Sequence, residues 1–279
     1  MGDFYNQLLN SKVPLVMGIL NVTPDSFSDG GKFSDKNSAV DHALKMIDSG
    51  ADIIDIGGES TRPGSDIISA EEEFNRVIPV LRDIRKIDKQ IIISIDSFKS
   101  KIIERSLEFV IEIVNDISAG MFDNNIFEIV KNNKLTYVLM HMKGTPKNMQ
   151  VNPNYHDVVK ELYDFFELKI IELFEQGIQK IIVDPGIGFG KRVKDNFQIL
   201  NKLDNFKKLS KPLLIGLSKK SFLGKSLNID VTERDNSTII SETIAALKGA
   251  KIIRTHNVKN TVELKKIFNF ITEPELLNV

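Results

Sequence analysis

Acidic, amide and basic side chains follow short apolar runs at several points of this 279-residue chain. The clearest case lies in residues 181–191, where an apolar run ends at Asp184 and Pro185 begins a glycine-rich loop. A short apolar run predicts a buried strand, and glycines let the backbone that follows approach a ligand closely. The stretch therefore predicts a carboxylate at the mouth of a strand, beside a loop that holds a ligand.

Polar groups also end the other predicted strands. They are Asn21, residues 57–63, Asp96, Asn115 with Asp116, His141, residues 216–220, and Arg254 with His256. A single Asp or Asn after a strand is usually a turn former or a helix cap, and Asp96 is placed to cap a helix. Their recurrence at nearly every strand end favours a shared site over separate caps.

Three of these residues share one kind of chemistry. Asp96, Asn115 and Asp184 supply hydrogen-bond acceptors and one amide. A carboxylate can accept two parallel N–H bonds, so the set suits a flat heterocycle with several N–H donors. A metal site is the alternative for the same carboxylates.

The cationic groups indicate an anion. Arg254 and His256 are two residues apart after the last predicted strand, so they face the same side and can converge on one anion. The end of strand eight, at a helix start, is where barrels often bind phosphate.

Two further loops are expected at the site. In the loop Ser218–Ser221, one of two lysines is expected to contact ligand. Asn21 and the following loop suit a hard cation or a lid over an aromatic ligand. The acids and aromatics of that loop are Asp25, Asp29, Asp35, Phe27 and Phe33.

The elements that position these groups alternate between strand and helix. The predicted strands cover 15–20, 52–56, 91–95, 112–114, 136–140, the run ending at Asp184, 213–215 and 252–253. Ser69 and Glu72 form a predicted capping box for one helix. Residues 216–231 are a predicted loop, followed by a helix capped by Thr232.

The alternation of strands and helices predicts an α/β fold, a single (β/α)8 TIM barrel over 1–279, with its site at the C-terminal ends of the strands. Strand four is the weakest, and an open doubly wound sheet is the alternative without it.

Composition restricts the partners. The net charge of −1 gives no general attraction to nucleic acid or anionic membranes. The chain has no cysteine, which excludes disulfides and thiolate zinc sites. No apolar run approaches the ~20 residues of a membrane span, and no signal peptide is evident. We expect a cytoplasmic monomer or small oligomer.

Several ordered motifs make the sequence resemble the dihydropteroate synthases, pterin-binding barrels of folate biosynthesis. The resemblance covers nearly the whole chain. Its segments are residues 21–31, 55–64, 96–97, 115–117, 141–142 with 144–146, 184–191, 218–221 and 254–256. Ordered motifs of this length are far more specific than a lone glycine pattern.

The resemblance implies the reaction and the residues. (7,8-Dihydropterin-6-yl)methyl diphosphate and 4-aminobenzoate would give 7,8-dihydropteroate and diphosphate with Mg²⁺, in a homodimer and candidate sulfonamide target. Asp184, Lys220 and Asp96 are the implied catalytic residues. The implied pterin contacts are Asp96, Asn115, Asp184 and Lys220. The implied diphosphate contacts are Asn21, Arg254 and His256, and Asn21 is also the implied Mg²⁺ ligand. The implied aminobenzoate contacts are Thr61, Arg62, Pro63, Phe189 and Ser218.

Two positions depart from the family pattern. Lys219 stands where the family often has Arg, and Asn257 where it often has Asp. Lysine lacks the planar fork of arginine, so a looser anchoring of this loop is expected. The alternative functions are a pterin-dependent methyltransferase and a non-catalytic pterin-binding homologue. Residues 61–63 and 218–221, with Arg254 and His256, favour the synthase over the methyltransferase. A non-catalytic homologue would be expected to lose a residue of the first loop or of the end of strand eight, and none is missing.

Overall fold

Eight parallel strands close into a barrel in which each strand pairs with the next along the chain and the last pairs with the first. The computed structural model describes residues 3–23, 31–60 and 64–276. The strands are β1 Leu15–Asn21, β2 Ile53–Gly57, β3 Ile92–Asp96, β4 Ile113–Asp116, β5 Thr136–Met140, β6 Ile181–Asp184, β7 Leu213–Gly216 and β8 Ala250–Thr255. The predicted barrel is therefore confirmed, and the closed sheet excludes the open alternative.

Helices surround the barrel, as the strand–helix alternation predicts. They are α1 Phe4–Asn10, α2 Gly31–Asp48, α3 Ala70–Ile87, α4 Ser100–Ser106, α5 Asn125–Asn132, α6 Val158–Glu175, α7 Val193–Asn201, α8 Ser221–Leu227, α9 Asp235–Leu247 and α10 Val258–Thr272. Apolar side chains from the outer strand faces and the helices form the larger core. None of the helices within the described residues is both long and apolar enough to cross a membrane.

The lower half of the barrel interior is apolar and closed by α1. Phe4, Tyr5 and Leu8 of this helix pack against inward side chains of the strands, among them Ile53 and Ile182. The hydroxyl of Tyr5 donates to the carbonyl of Ile181 at 3.0 Å. Sequence analysis did not predict α1. This helix closes the end of the barrel where the strands begin, so a ligand is expected at the opposite end, where the C-termini of the strands lie.

The weakest predicted strand is real. β4 pairs with β3 at Ser94↔Ile113 and with β5 at Ile113↔Thr136. It carries two neighbouring polar residues that face different ways. Asn115 donates to Asp55, whereas Asp116 accepts from the hydroxyl of Tyr137 at 2.7 Å and from two backbone N–H groups of the following turn. Asp116 is therefore a turn former.

Three local predictions were wrong. The helix predicted to be capped by Thr232 begins at Asp235 instead, because residues 231–233 form a separate 3-10 turn capped by Asp230. The predicted loop 216–231 contains helix α8.

Asp96 does not cap a helix, since α4 begins after Lys99 and the carboxylate of Asp96 accepts from Arg254. The cap at Ser69 is confirmed, although Glu72 pairs with Arg76 rather than closing the box.

Candidate active site

A polar layer lies directly above the apolar layer of the barrel. Ile53, Ile113, Ile182 and Ile252 all belong to the inner apolar cluster. Residues two positions further along a strand point to the same side, so each strand adds one polar side chain above its isoleucine. These are Asp55, Asn115, Asp184 and Arg254. Four alternate strands thus build one polar layer, as expected of a filled barrel.

Arg254 connects the carboxylates of this layer. Its Nε donates to Oδ2 of Asp55 at 2.6 Å, and its Nη2 donates to Oδ2 of Asp96 at 2.6 Å. Asn115 donates to the same oxygen of Asp55 at 3.1 Å. Asp55 is fully buried, and its other oxygen has no hydrogen-bond partner within the described residues. Arg254 is therefore directed into the barrel, between two acids.

Burial sets the ionisation of this group. Burial raises the pKa of Asp96 to about 7, against the lowering effect of Arg254 and with a further raising effect of Asp55. Burial opposes the charge of Arg254, but the carboxylates of Asp55 and Asp96 hold its pKa above the ordinary value. Near neutral pH, Asp96 can therefore accept hydrogen bonds as a carboxylate or donate one as a protonated acid.

Asp184 and Lys220 form the second charged part of the site. Asp184 is buried, and its Oδ1 accepts from the N–H of Gly186 at 2.8 Å. Burial raises the pKa of Asp184, while Lys220, Arg254 and Lys191 lower it. Burial lowers the pKa of Lys220 to about 8, although Asp184 favours its charged form. Two predicted site residues from different strands therefore interact electrostatically at the barrel mouth.

The glycine-rich loop after β6 is held against two neighbours. Gly186 has a φ of 66°, and a Cβ there would lie 2.0 Å from the carbonyl oxygen of His141, so the position requires glycine. Gly188 donates to Asn196 at 2.7 Å and accepts from Gln150 at 2.7 Å. The ring of Phe189 lies 4.5 Å from Nζ of Lys220. Lys220, a predicted pterin contact, and Phe189, a predicted aminobenzoate contact, are therefore neighbours.

Lys191 supports the same loop from behind. Its buried Nζ lies 3.1 Å from Nδ1 of His141 and donates to the carbonyls of His141 at 3.1 Å and Phe189 at 3.0 Å. Burial lowers the pKa of Lys191 to about 7 and that of His141 to about 2. A neutral His141 therefore accepts from Lys191, and Lys191 ties the end of β5 to Phe189. Sequence analysis assigned no role to Lys191, because a lysine after a glycine gives no signal of burial.

Ser218 and His256 connect the loops after β7 and β8. Oγ of Ser218 accepts from the backbone N–H of His256 at 3.2 Å and lies 3.0 Å from its Nδ1. A hydroxyl that accepts one bond can donate to Nδ1, which leaves the proton of the imidazole on Nε2. Arg254 and His256 have different partners here, so their predicted convergence on one anion stays a prediction.

The two departures from the family pattern meet at one carboxylate. Nζ of Lys219 lies 3.5 Å from Oδ1 of Asp235. Asn257 donates to Oδ2 of Asp235 at 3.2 Å, and its own side chain caps α10 by accepting from Asn260. An ammonium and an amide therefore share the carboxylate of Asp235.

Several predicted residues remain untested. Thr61, Arg62 and Pro63 lie outside the described residues, as do Asp25, Phe27 and Asp29 of the loop after β1. Asn21 ends β1 beside Gly57 and is half-buried. No group of three or more His, Asp or Glu side chains within the described ranges is placed to hold a metal ion.

Asp55 is the main site residue that sequence analysis did not assign. Its signal was an acid inside an apolar strand, two positions after an inward isoleucine. A second unassigned group is Lys99, which pairs with buried Glu59 and with Glu73 at 2.6 Å. This group joins the beginning of the loop after β2 to α3 and α4.

The chain matches a known family along most of its length. The family described as pterin binding enzyme matches residues 17–256. The dihydropteroate synthase of Escherichia coli (strain K12) is 44% identical over 256 residues, which are 91% of this chain and 90% of that protein. The dihydropteroate synthase of Haemophilus influenzae is 41% identical over 266 residues, 94% and 96% of the two chains.

Solved structures show the same similarity in three dimensions. The Yersinia pestis dihydropteroate synthase in complex with a sulfonamide drug has a TM-score of 0.87 at 41% identity, over 93% of this chain and 94% of that one. The Xanthomonas albilineans dihydropteroate synthase with 4-aminobenzoic acid has a TM-score of 0.88 at 36% identity, over 94% of each chain. The latter enzyme in complex with 7,8-dihydropteroate has a TM-score of 0.85 at 34% identity, over 94% and 95%.

Proposed function

This chain belongs to the pterin-binding enzymes and catalyses the dihydropteroate synthase reaction, and we propose that its strand-end residues divide this reaction among three adjoining subsites. The substrates are (7,8-dihydropterin-6-yl)methyl diphosphate and 4-aminobenzoate. The carbon–oxygen bond to diphosphate breaks, its electron pair leaves with the diphosphate, and the arylamine nitrogen forms the new bond and loses a proton. The observation that carries the assignment of subsites is the single polar layer of Asp55, Asn115, Asp184 and Arg254 over the apolar barrel.

The pterin subsite consists of Asp96, Asn115, Asp184 and Lys220. Carboxylate oxygens of Asp96 and Asp184 accept from the N–H groups of the flat ring, while the ammonium of Lys220 donates to it. The carboxylate of Asp184 is held by Gly186 and buried, so it is preorganised near the positive charge that develops as diphosphate leaves. No nucleophilic side chain is required, because the pterin ring itself stabilises the carbon.

The diphosphate subsite consists of Arg254, His256 and Asn21. Nη1 of Arg254 can bind an anion, since within the described ranges the bonds to Asp55 and Asp96 use Nε and Nη2. The side-chain oxygen of Asn21, at the end of β1, is a suitable hard ligand for Mg²⁺. A single protein ligand fits this ion, because Mg²⁺ keeps several waters and binds substrate phosphates. When bound, Mg²⁺ neutralises charge on the diphosphate oxygens and so makes diphosphate a better leaving group.

The aminobenzoate subsite consists of Phe189 and Ser218 with Thr61, Arg62 and Pro63. Phe189 offers its ring for contact with the arylamine, beside Lys220 of the pterin subsite. Ser218 is fixed through His256 of the diphosphate subsite. The arylamine thus attacks from a position next to both the pterin carbon and the departing diphosphate. A sulfonamide, which resembles aminobenzoate, is expected to compete for this subsite.

The deciding experiment is diphosphate release from the purified protein with the pterin diphosphate and Mg²⁺, with and without 4-aminobenzoate. Release that depends on 4-aminobenzoate, together with dihydropteroate formation, supports the proposal. Pterin binding without release would indicate a carrier or a methyltransferase. Failure to bind pterin would contradict the assignment of the strand-end residues. Titration with Mg²⁺ in wild type and Asn21→Ala tests the metal ligand through the metal concentration that gives half-maximal activity.

We also propose a homodimer formed by the late helices. Ile240, Ile244 and Leu247 are exposed on α9 at a spacing that places them on one face, and Ile267 and Ile271 are exposed on α10. Clustered exposed aliphatic side chains mark protein interfaces. Light scattering should give the mass of two chains for wild type and of one chain for Ile240→Asp with Ile244→Asp. Leu168→Asp, at an exposed position of α6, is the matched control. A monomeric wild type would contradict the proposal.

A further inference from the structure

The backbone of Lys219 has a conformation that costs energy. Its φ is 55°, in the left-handed region that residues with a Cβ seldom adopt. Lys219 lies between Ser218 and Lys220, which the proposed function places at the aminobenzoate and pterin subsites. A change of φ at Lys219 would redirect both neighbours. The surrounding structure must therefore hold this residue in place.

The beginning of α9 supplies three contacts to Lys219. The side chain of Arg234 donates from Nη1 to the carbonyl of Lys219 at 3.0 Å. The N–H of Lys219 donates to Oγ1 of Thr238 at 3.1 Å. Asp235 faces Nζ of Lys219 at 3.5 Å. The backbone N–H, the backbone carbonyl and the side-chain ammonium of Lys219 are thus all bound by the first turn of α9 and its N-cap residue.

The same turn reaches the loop after β8. Asp235 accepts from Asn257, which directly follows His256 and caps α10. A second connection between these loops runs from Ser218 to His256. The loops that carry the proposed aminobenzoate and diphosphate contacts are therefore linked twice, and one link passes through α9.

We propose that Arg234, Asp235 and Thr238 are positioning residues for the reaction: they hold Lys219 in its left-handed conformation, and so set Ser218 and Lys220 relative to His256. The inference rests on the proposed function, since the subsites give the positioning its meaning. In the part of the chain that the structure describes, no side-chain hydrogen bond or ion pair of these three residues reaches the polar layer in the barrel, so their effect on catalysis acts through the loop after β7.

Thr238→Val tests the central contact, because valine keeps the shape of threonine and removes the acceptor for Lys219. The N–H of Lys219 is partly buried and would lose its partner, which frees the strained loop to move, so we expect the KM for 4-aminobenzoate to rise about tenfold and kcat to fall. Thr238→Ser keeps the hydroxyl and should restore both. Thr243→Val is the matched control, since it removes an exposed hydroxyl of the same helix that bonds only to Ile239 within the described residues.

The KM separates positioning from a purely structural role. A structural role would lower the melting temperature and the amount of active enzyme but leave the KM unchanged, and that result would overturn the inference. Wild-type KM and kcat in Thr238→Val would overturn it as well. If Thr238→Val does not fold, Asp235→Ala replaces it, with an expected rise of about threefold in the KM for either substrate. Absence of dihydropteroate formation by wild type would instead contradict the proposed function, and the inference with it.

Discussion

Asp55 and Arg254 form a buried ion pair, with Nε of Arg254 2.6 Å from Oδ2 of Asp55, although 199 positions separate them in the chain. Asp96 binds the other side of the guanidinium at the same distance. The pair orients the Arg254 side chain before any substrate arrives. Oriented charge of this kind stabilises a transition state without reorganisation.

Replacement of Asp55 tests this relationship. Asp55→Asn removes one of the charges that pair with Arg254 and leaves Asp96 as its hydrogen-bonded acid partner among the described residues. We expect about 2 kcal/mol lower stability, because Arg254 loses one of its two charged hydrogen-bond acceptors. We also expect kcat/KM for the pterin diphosphate to fall about tenfold. Chemical denaturation and steady-state kinetics measure both. Asp164→Asn, in an exposed pair on α6, should change neither; wild-type values in Asp55→Asn would refute the role.

Asp184→Asn should remove activity without loss of the fold. The amide oxygen can still accept from Gly186, so the loop after β6 keeps its support. The charge near the developing cation is lost, and we expect kcat to fall by about a hundredfold or more. Dihydropteroate formation and circular dichroism should be measured together. An unchanged rate in a folded variant would exclude Asp184 from its assigned role.

The pH dependence of kcat/KM should be bell-shaped. The acid Asp96 has a pKa raised to about 7, so the carboxylate that we propose accepts from pterin forms as the pH rises through that value. The amine Lys220 has a pKa lowered to about 8, so its charge is lost as the pH rises further. Asp96→Asn should abolish the acidic limb, and Lys220→Arg should move the alkaline limb upward. A flat profile from pH 6 to 9 in wild type would contradict both assignments.

Lys219 and Asn257 should behave as a coupled pair. Asn257→Asp places a second carboxylate beside Asp235 while it keeps a good cap for α10. Like charges in contact repel, so we expect a loss of about 1 kcal/mol in stability. Lys219→Arg added to this variant should recover most of the loss, because the guanidinium fork can bind two acids. Asn260→Asp, which adds the same charge to α10, is the control. Additive effects of the two changes would show that the positions are independent.

Glu242 should make stability depend on pH. It is fully buried on α9, where it accepts from Thr261 at 2.9 Å, and burial raises its pKa from 4.5 to about 7. The unfolded chain loses this proton first as the pH rises, so stability falls between those values. Glu242→Gln should remove that part of the slope and raise the melting temperature at pH 8 by about 3 °C. Exposed Glu263→Gln should do neither; an unchanged slope in Glu242→Gln would contradict the prediction.

Local patterns predicted the elements best where the sequence signal was itself local. β5 was predicted at its observed bounds, and the cap at Ser69 forms as expected. The helix α8 was missed because it is short, with seven residues, and carries glycine and serine. Thr232 was misjudged as a cap because the capping box of Asp230 and Glu233 begins a separate 3-10 turn, and α9 follows that turn with no side-chain cap of its own. The helix α1 was missed because its three buried apolar side chains gain stability only against the apolar end of the barrel.

The sequence by itself determined the alternation of strands and helices, hence the barrel, and the chemistry at each strand end, because strand period and side-chain type are local properties. It also determined the family, through motifs that survive as ordered residue strings. Only the tertiary structure decided which polar groups meet. Arg254 binds Asp55 and Asp96, Lys191 binds His141, and Asp235 joins Lys219 to Asn257. These partners are distant in the chain and adjacent only because barrel closure brings every strand end to one rim.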